Sequence, residues 1–276
     1  MLRRLGAFVW VALAPLLGVV AGCEGAELPD VNIFTIQDDI DLGAQLADEI
    51  AANPQEYGEL LPRNEYAEAY GHLDRIRDEI LGSGEVTYAD QFEWKTHLIH
   101  DDTVLNAFAA PGGYIYVYTG LIWYLEEEDQ LAGVLGHEIA HADQRHSTQQ
   151  LTKAYGIETL LSLIFGDDGG GVAADVASGL VSLEFSREDE AEADEFSVVY
   201  LCGTDYASNG AAGFFEKLLS EGSVEIPEFL STHPSSDSRV QDINAMAGDL
   251  GCSTDPNPNG QYAAFLDSLP PFENGG

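Results

Sequence analysis

Basic residues are what this 276-residue chain has least of: eleven Lys and Arg stand against forty-eight Asp and Glu, a formal net charge of -37. A surface so acidic repels phosphate backbones and anionic headgroups, which argues against nucleic acid or an anionic membrane surface as a partner. No acidic loop has the regular spacing of an EF-hand, so the charge predicts no calcium site of that kind and is read as a solvated surface. Internal repeats are also absent.

Cysteines number three, and the first closes a targeting signal. Arg3 and Arg4 form a basic region, Leu5 to Val20 an apolar run, and Val20-Ala21-Gly22-Cys23 resembles a bacterial lipobox. Residues 1–22 are therefore read as a lipoprotein signal peptide, Cys23 as its acylated cysteine, and residues 23–37 as a tether. Cleavage removes both arginines and takes the charge from -37 to -39. Glu24 in place of Asp after the cysteine favours the outer membrane over the inner. An uncleaved anchor over residues 5–22 is the competing reading. Cys202 and Cys252 then remain as an even pair in a compartment that permits disulfides, and are candidates for a bridge.

The chemistry is concentrated in residues 130–146. His137 and His141 lie four apart, so on a helix their imidazoles project from one face and can share a metal ion. Glu138 between them is placed to act as the general base of a metalloprotease. Leu131, Val134, Leu135 and Ile139 supply a helical apolar stripe, and the acidic run before them suits a helix N-terminus. Three fixed residues recur by chance, so the motif requires a third ligand from elsewhere. The acidic stretch 185–194 offers Glu190 and Asp194, four apart: one can coordinate metal while the other hydrogen-bonds a ligand imidazole.

The remaining chain reads as α+β, mainly helical, with a small β-sheet packed against the motif helix. Helices are expected over residues 38–52, 65–81, 149–165, 172–184, 211–219, 238–246 and 263–269. Strand-like alternation runs through Phe92, Trp94, Thr96 and Leu98, and Pro111-Gly112-Gly113 reads as a tight turn leading into a strand at 114–119. An exposed sheet edge at Asn106, Ala107, Phe108 and Ala109 would pair with an extended substrate. Residues 166–171 read as a flexible loop. His233, before Pro234, is placed in an extended loop. His72, His97 and His100 are read as structural, and His146 as either a surface residue or a partner of a ligand.

Several separated stretches together resemble metallopeptidase family forty-eight, a group of zincin-like gluzincins: Asn106 to Gly113, Gly136-His-Glu-Ile-Ala-His141, Phe185-Ser-Arg187, Glu190-Ala-Glu-Ala-Asp194, Thr232-His-Pro234 and Arg239. The resemblance covers roughly residues 38–247. It implies one zinc ion held by His137, His141 and Glu190, with Glu138 as base and Asp194 and Arg239 supporting the ligands. It also implies a role for His233, either stabilising an oxyanion or occupying the fourth metal position. A metzincin is excluded by counting, since Gln144 and Ser147 stand where that group needs Gly and His. Residues 38–250 are thus read as a metallopeptidase domain and 251–276 as a Pro, Asn and Gly-rich tail, too short for the helical-repeat domain of some members. The expected function is a zinc metalloendopeptidase, lipid-anchored and facing the periplasm, that cleaves misfolded or misassembled envelope proteins. A latched lipoprotein that holds clients without cutting them is the alternative.

Overall fold

The computed structural model describes residues 32, 34–156, 158–160, 169–221, 228–234, 238–257 and 259–272. The signal-peptide reading and Cys23 lie outside these residues.

Helix α1 (Ile36–Ala52) begins at a capping box in which Thr35 accepts from the Asp38 amide and the Asp38 carboxylate accepts from Thr35. It stops at Asn53, before the proline of the short α2 (Pro54–Tyr57). Its stripe of Leu42, Leu46 and Ile50 is fully buried. Strand β1 (Glu59–Leu60) and helix α3 (Ala67–Leu81) lead to β2 (Lys95–His100), which begins after the strand-like pattern does. Trp94 has a left-handed φ of 42° that ends any extended run before it.

Strands β3 (Ala107–Ala110) and β4 (Tyr114–Tyr118) flank the expected turn, with Gly112 and Gly113 at φ 72° and 87°. The sheet order is β1-β2-β4-β3, with β2 and β4 parallel and the outer pairs antiparallel. Strand β4 runs straight into helix α4 (Thr119–Tyr124), so Thr119 opens a helix and does not close the strand as its sequence suggests.

At the centre lies α5 (Glu128–Asp143), buried at every residue except Gln130. A helix enclosed on all sides needs small residues where its neighbours press closest. Gly133 faces the start of α9 (Gly210–Glu221), where an added Cβ would come within 2.6 Å of the Ala211 Cα. Gly136 faces Ser197 of α8 (Arg187–Cys202), whose hydroxyl donates to the Gly133 carbonyl at 3.0 Å.

Three expectations need correction. The helix expected over 149–165 is broken: α6 (His146–Tyr155) ends at Gly156 with φ 78°, and residues 158–160 are helical again; residues 161–168 lie outside the described residues. Helix α7 spans Gly169–Val181, so the glycines at 169–171 are helical where a loop was expected. The extended loop around His233 is largely one helical turn, α10 (Glu228–Thr232), and the His233 amide still bonds the Phe229 carbonyl at 2.7 Å. Pro234 disfavours helix only for the residue before it, and the turn is complete by then.

Helix α11 (Arg239–Leu250) leads to the tail, which packs back on the body. Asn257 and Gln261 donate backbone N–H groups to Asp129 and Glu128 at the start of α5. In α12 (Tyr262–Ser268), Phe265 is fully buried against His72. Cys202 and Cys252 form a disulfide with Cα atoms 5.1 Å apart, linking the end of α8 to the start of this return. Closing a loop across 50 residues contributes ~4 kcal/mol in the chain-entropy account. Cys252→Ser is expected to lower the unfolding free energy by about that amount in urea titrations, and wild-type protein should show no accessible thiol at these positions. Equal stability with and without reductant would contradict this.

Candidate metal centre

Because α5 is helical through the motif, His137 and His141 meet one turn apart, their Nε2 atoms 3.0 Å from each other. Glu190 arrives from the first turn of α8, which Ser186 and Asp189 fix by a second capping box. Its Oε1 lies 3.3 Å from His141 Nε2 and its Oε2 3.5 Å from His137 Nε2. Ligands of a tetrahedral zinc with bonds of 2.0–2.1 Å stand roughly 3.3 Å apart, so these spacings fit one ion between the three side chains. His233 completes the group, with Nδ1 2.9 Å from Glu190 Oε1 and 3.4 Å from His137 Nε2. One donor atom from each of the four lies within 4.8 Å of the other three, and all four residues are buried.

Asp194, one turn beyond Glu190, accepts from His137 Nδ1 at 2.9 Å, which turns the His137 Nε2 lone pair toward the cluster. Arg239 clasps Asp194 through Nε at 2.6 Å and a terminal nitrogen at 2.8 Å, and approaches Glu190 Oε2 at 3.0 Å. Its guanidinium also stacks on Phe215 at 4.0 Å. Glu138 is fully buried, and among the described residues neither of its carboxylate oxygens has a hydrogen-bond partner. The nearest cation-forming group is His233 Nε2, 3.6 Å from Glu138 Oε1.

These environments separate the two glutamates. Burial raises the Glu138 carboxyl above its usual range, and the nearby histidines and Arg239 offset this only in part. Burial opposes ionisation of Glu190 too, yet His233 and His137 outweigh it and hold that carboxyl well below its usual value. Asp194 is likewise lowered, with Arg239 and His137 overcoming burial. The pKa of one carboxyl is thus raised, and those of the other two are lowered.

Two aromatic rings close the cluster from water. Phe185 stacks on His141 with centroids 4.0 Å apart, and Phe229 on His233 at 4.3 Å. Neither role was visible in sequence, because residue type alone does not say which ring a phenylalanine will stack on, even for Phe185 within a stretch that resembles the family. His146 proves to be buried rather than on the surface, with Nδ1 3.0 Å from His141 Nδ1. A cavity of about 260 Å³ lies between α8 and α11 beside Glu190, Asp194 and Arg239.

The expected substrate edge is corrected. Strand β3 is outermost in the sheet, but Asn106, Ala107, Phe108 and Ala109 are all buried. Ser147 occupies the edge, donating to the Ala109 carbonyl at 2.8 Å, and just ahead of the strand the Phe229 amide of α10 donates to the Leu105 carbonyl at 3.1 Å. Asn106 precedes the strand and caps it, its side-chain oxygen accepting from the Ala107 amide.

Comparison with known proteins agrees with this geometry. The pattern of peptidase family M48 matches residues 70–247. The mitochondrial metalloendopeptidase OMA1 of Schizosaccharomyces pombe is 32% identical over 193 residues, 68% of this chain and 56% of the relative. The β-barrel assembly-enhancing protease of Escherichia coli is 30% identical over 213 residues, covering 71% of this chain and 43% of the relative. Metalloprotease YcaL of the same bacterium is 31% identical over 158 residues, or 54% of this chain and 60% of the relative. The matches thus span about half the length of these relatives. Since the matched segment takes in all of α5, α8 and α10 and nearly two thirds of the chain, the chain belongs to peptidase family M48.

Proposed function

We propose that this chain is a zinc-dependent endopeptidase that hydrolyses misfolded or misassembled polypeptides of the bacterial cell envelope. The observation that carries the reading is the convergence of His137, His141 and Glu190 at tetrahedral spacing beside a buried carboxyl, Glu138, that bonds to nothing else described. Two imidazoles and a carboxylate suit zinc. Bound there, zinc would polarise a scissile carbonyl and make a water acidic near neutral pH. Glu138 would take a proton from the attacking water and pass it to the leaving amine, and its raised pKa suits a group that must hold that proton in between. Asp194 and Arg239 keep His137 oriented. The names of the bacterial relatives, one a β-barrel assembly-enhancing protease, support an envelope setting. Lipidation at Cys23 would tether the enzyme there.

His233 gives the site a closed form. It sits within the cluster, and its segment bonds through Phe229 to Leu105, just ahead of β3. A peptide that ran along β3 and on past Asn106 to Leu105 would have to displace the segment that carries His233. His233→Ala is therefore expected to raise casein cleavage. A fall would instead assign His233 to oxyanion stabilisation, and no proteolysis in either form would favour a lipoprotein that holds clients without cutting them.

The deciding measurement is zinc content together with casein hydrolysis by protein lacking residues 1–23. One zinc per chain and cleavage abolished by chelation are expected. Zinc content that Glu190→Ala fails to reduce would remove Glu190 as a ligand.

A further inference from the structure

The proposed metal site rests on three side chains, and Asp194 orients only one of its two imidazoles. We infer that His146 is the positioning residue for the other, fixing His141 in the tautomer that presents Nε2 to the metal, with Glu192 in turn fixing His146. This inference rests on the zinc-site reading above.

The proton positions follow from the contacts. His141 Nε2 faces His137 Nε2 at 3.0 Å and Glu190 Oε1 at 3.3 Å, so it is the atom that points into the cluster. A neutral imidazole that keeps a lone pair on Nε2 carries its proton on Nδ1. The one polar atom found against His141 Nδ1 among the described residues is His146 Nδ1, at 3.0 Å. His146 must then accept there, so its own proton sits on Nε2. That nitrogen is 3.1 Å from Glu192 Oε2, and the carboxylate accepts it. The arrangement parallels Asp194 on His137 but is one link longer, and its last member reaches solvent: the Glu192 side chain is 51% exposed, whereas His146 is buried.

The chain is bent to make this contact. On an unbroken helix residue 146 would point about 140° away from residue 141. Helix α5 ends instead at Asp143, and Arg145 adopts a left-handed φ of 63°, which starts α6 at His146 and returns its ring beneath His141. A non-glycine residue holds that conformation at a cost that other contacts must offset. Here Arg145 donates to Asp39 at 2.5 Å and to the Phe34 carbonyl. Phe185 stacks on His141 and stands against His146 as well, which keeps water from replacing the contact.

Zinc affinity measured by competition with a chromogenic chelator tests the inference, alongside melting of the metal-free protein. His146→Leu, which removes the acceptor and keeps bulk, is expected to weaken zinc binding by about 10- to 100-fold. His146→Asn, whose side-chain oxygen can accept in place of Nδ1, should recover most of that loss. Glu192→Ala, at an exposed position that does not threaten folding, should cost about tenfold or less. The inference is overturned if His146→Leu binds zinc as tightly as wild type, if His146→Asn loses as much as His146→Leu, or if the variants change only the melting temperature. Wild-type protein that holds no zinc would instead overturn the site reading itself.

Discussion

Glu138→Gln is expected to leave zinc at one per chain while casein hydrolysis falls by about 10²- to 10⁴-fold, the usual contribution of a positioned general base. The substitution keeps shape and removes only the ability to take a proton. Glu138 contributes no ligand atom to the four-residue cluster, so metal content should not follow activity down. Stability should move the other way. A carboxyl whose folded pKa is raised by burial destabilises the fold as it ionises, and that cost grows as pH rises above its unfolded value. An uncharged amide escapes it, so the variant should melt at or above the wild-type temperature at neutral pH. A residue that lowers stability and raises turnover is the signature of a functional group, and a buried carboxyl without a hydrogen-bond partner is where to look for one. Cleavage by Glu138→Gln at the wild-type rate would refute the mechanism.

What could be read from the sequence divides along a physical line. His137 with His141 and Glu190 with Asp194 are both i, i+4 pairs on helices, and helix geometry fixes such neighbours locally. The partition between Glu190 and Asp194 was not local. It depends on the packing of α8 against α5, which Gly136 and Ser197 permit, and on Arg239 arriving from α11 to hold Asp194. His146 was ambiguous because an i, i+5 pair meets only when the helix breaks, and no residue type announces that Arg145 will take a left-handed turn. The β3 edge was read as exposed because alternation and turn chemistry describe a strand and its partner. They carry no information about what a segment more than a hundred residues later will cover, as Phe229 does to Leu105. The burial of Phe265 against His72 was not legible for the same reason, since the helix expected over 263–269 does not say what it packs against.

Zinc uptake is expected to expel a proton from His137, which makes the affinity strongly dependent on pH. In the metal-free protein burial opposes the imidazolium, but Glu190 and Asp194 outweigh it and push His137 up to about 9. His141, with less to offset its burial, is held well below its usual value and stays neutral. At neutral pH the metal-free site therefore balances Glu190 and Asp194 with Arg239 and a protonated His137. A metal ligand must be neutral imidazole, so the ion competes with that proton. Apparent zinc affinity should rise about tenfold per pH unit up to about 9, near 100-fold between pH 7 and pH 9, and then level off. The metal-free fold behaves oppositely. Because the folded pKa lies above the unfolded value of 6.5, the stabilisation from this proton is fully present below 6.5 and is lost as pH rises through about 9, some 3 kcal/mol in all. Chelator competition at pH 6.5 to 9.5, with melting of the chelated protein over the same range, reads both slopes. Asp194→Asn removes one of the charges that raise His137, so its affinity should level off at lower pH. An affinity that is flat between pH 7 and pH 9 in the wild type would mean that His137 is already neutral, and that Arg239 alone balances the carboxylates before the metal arrives.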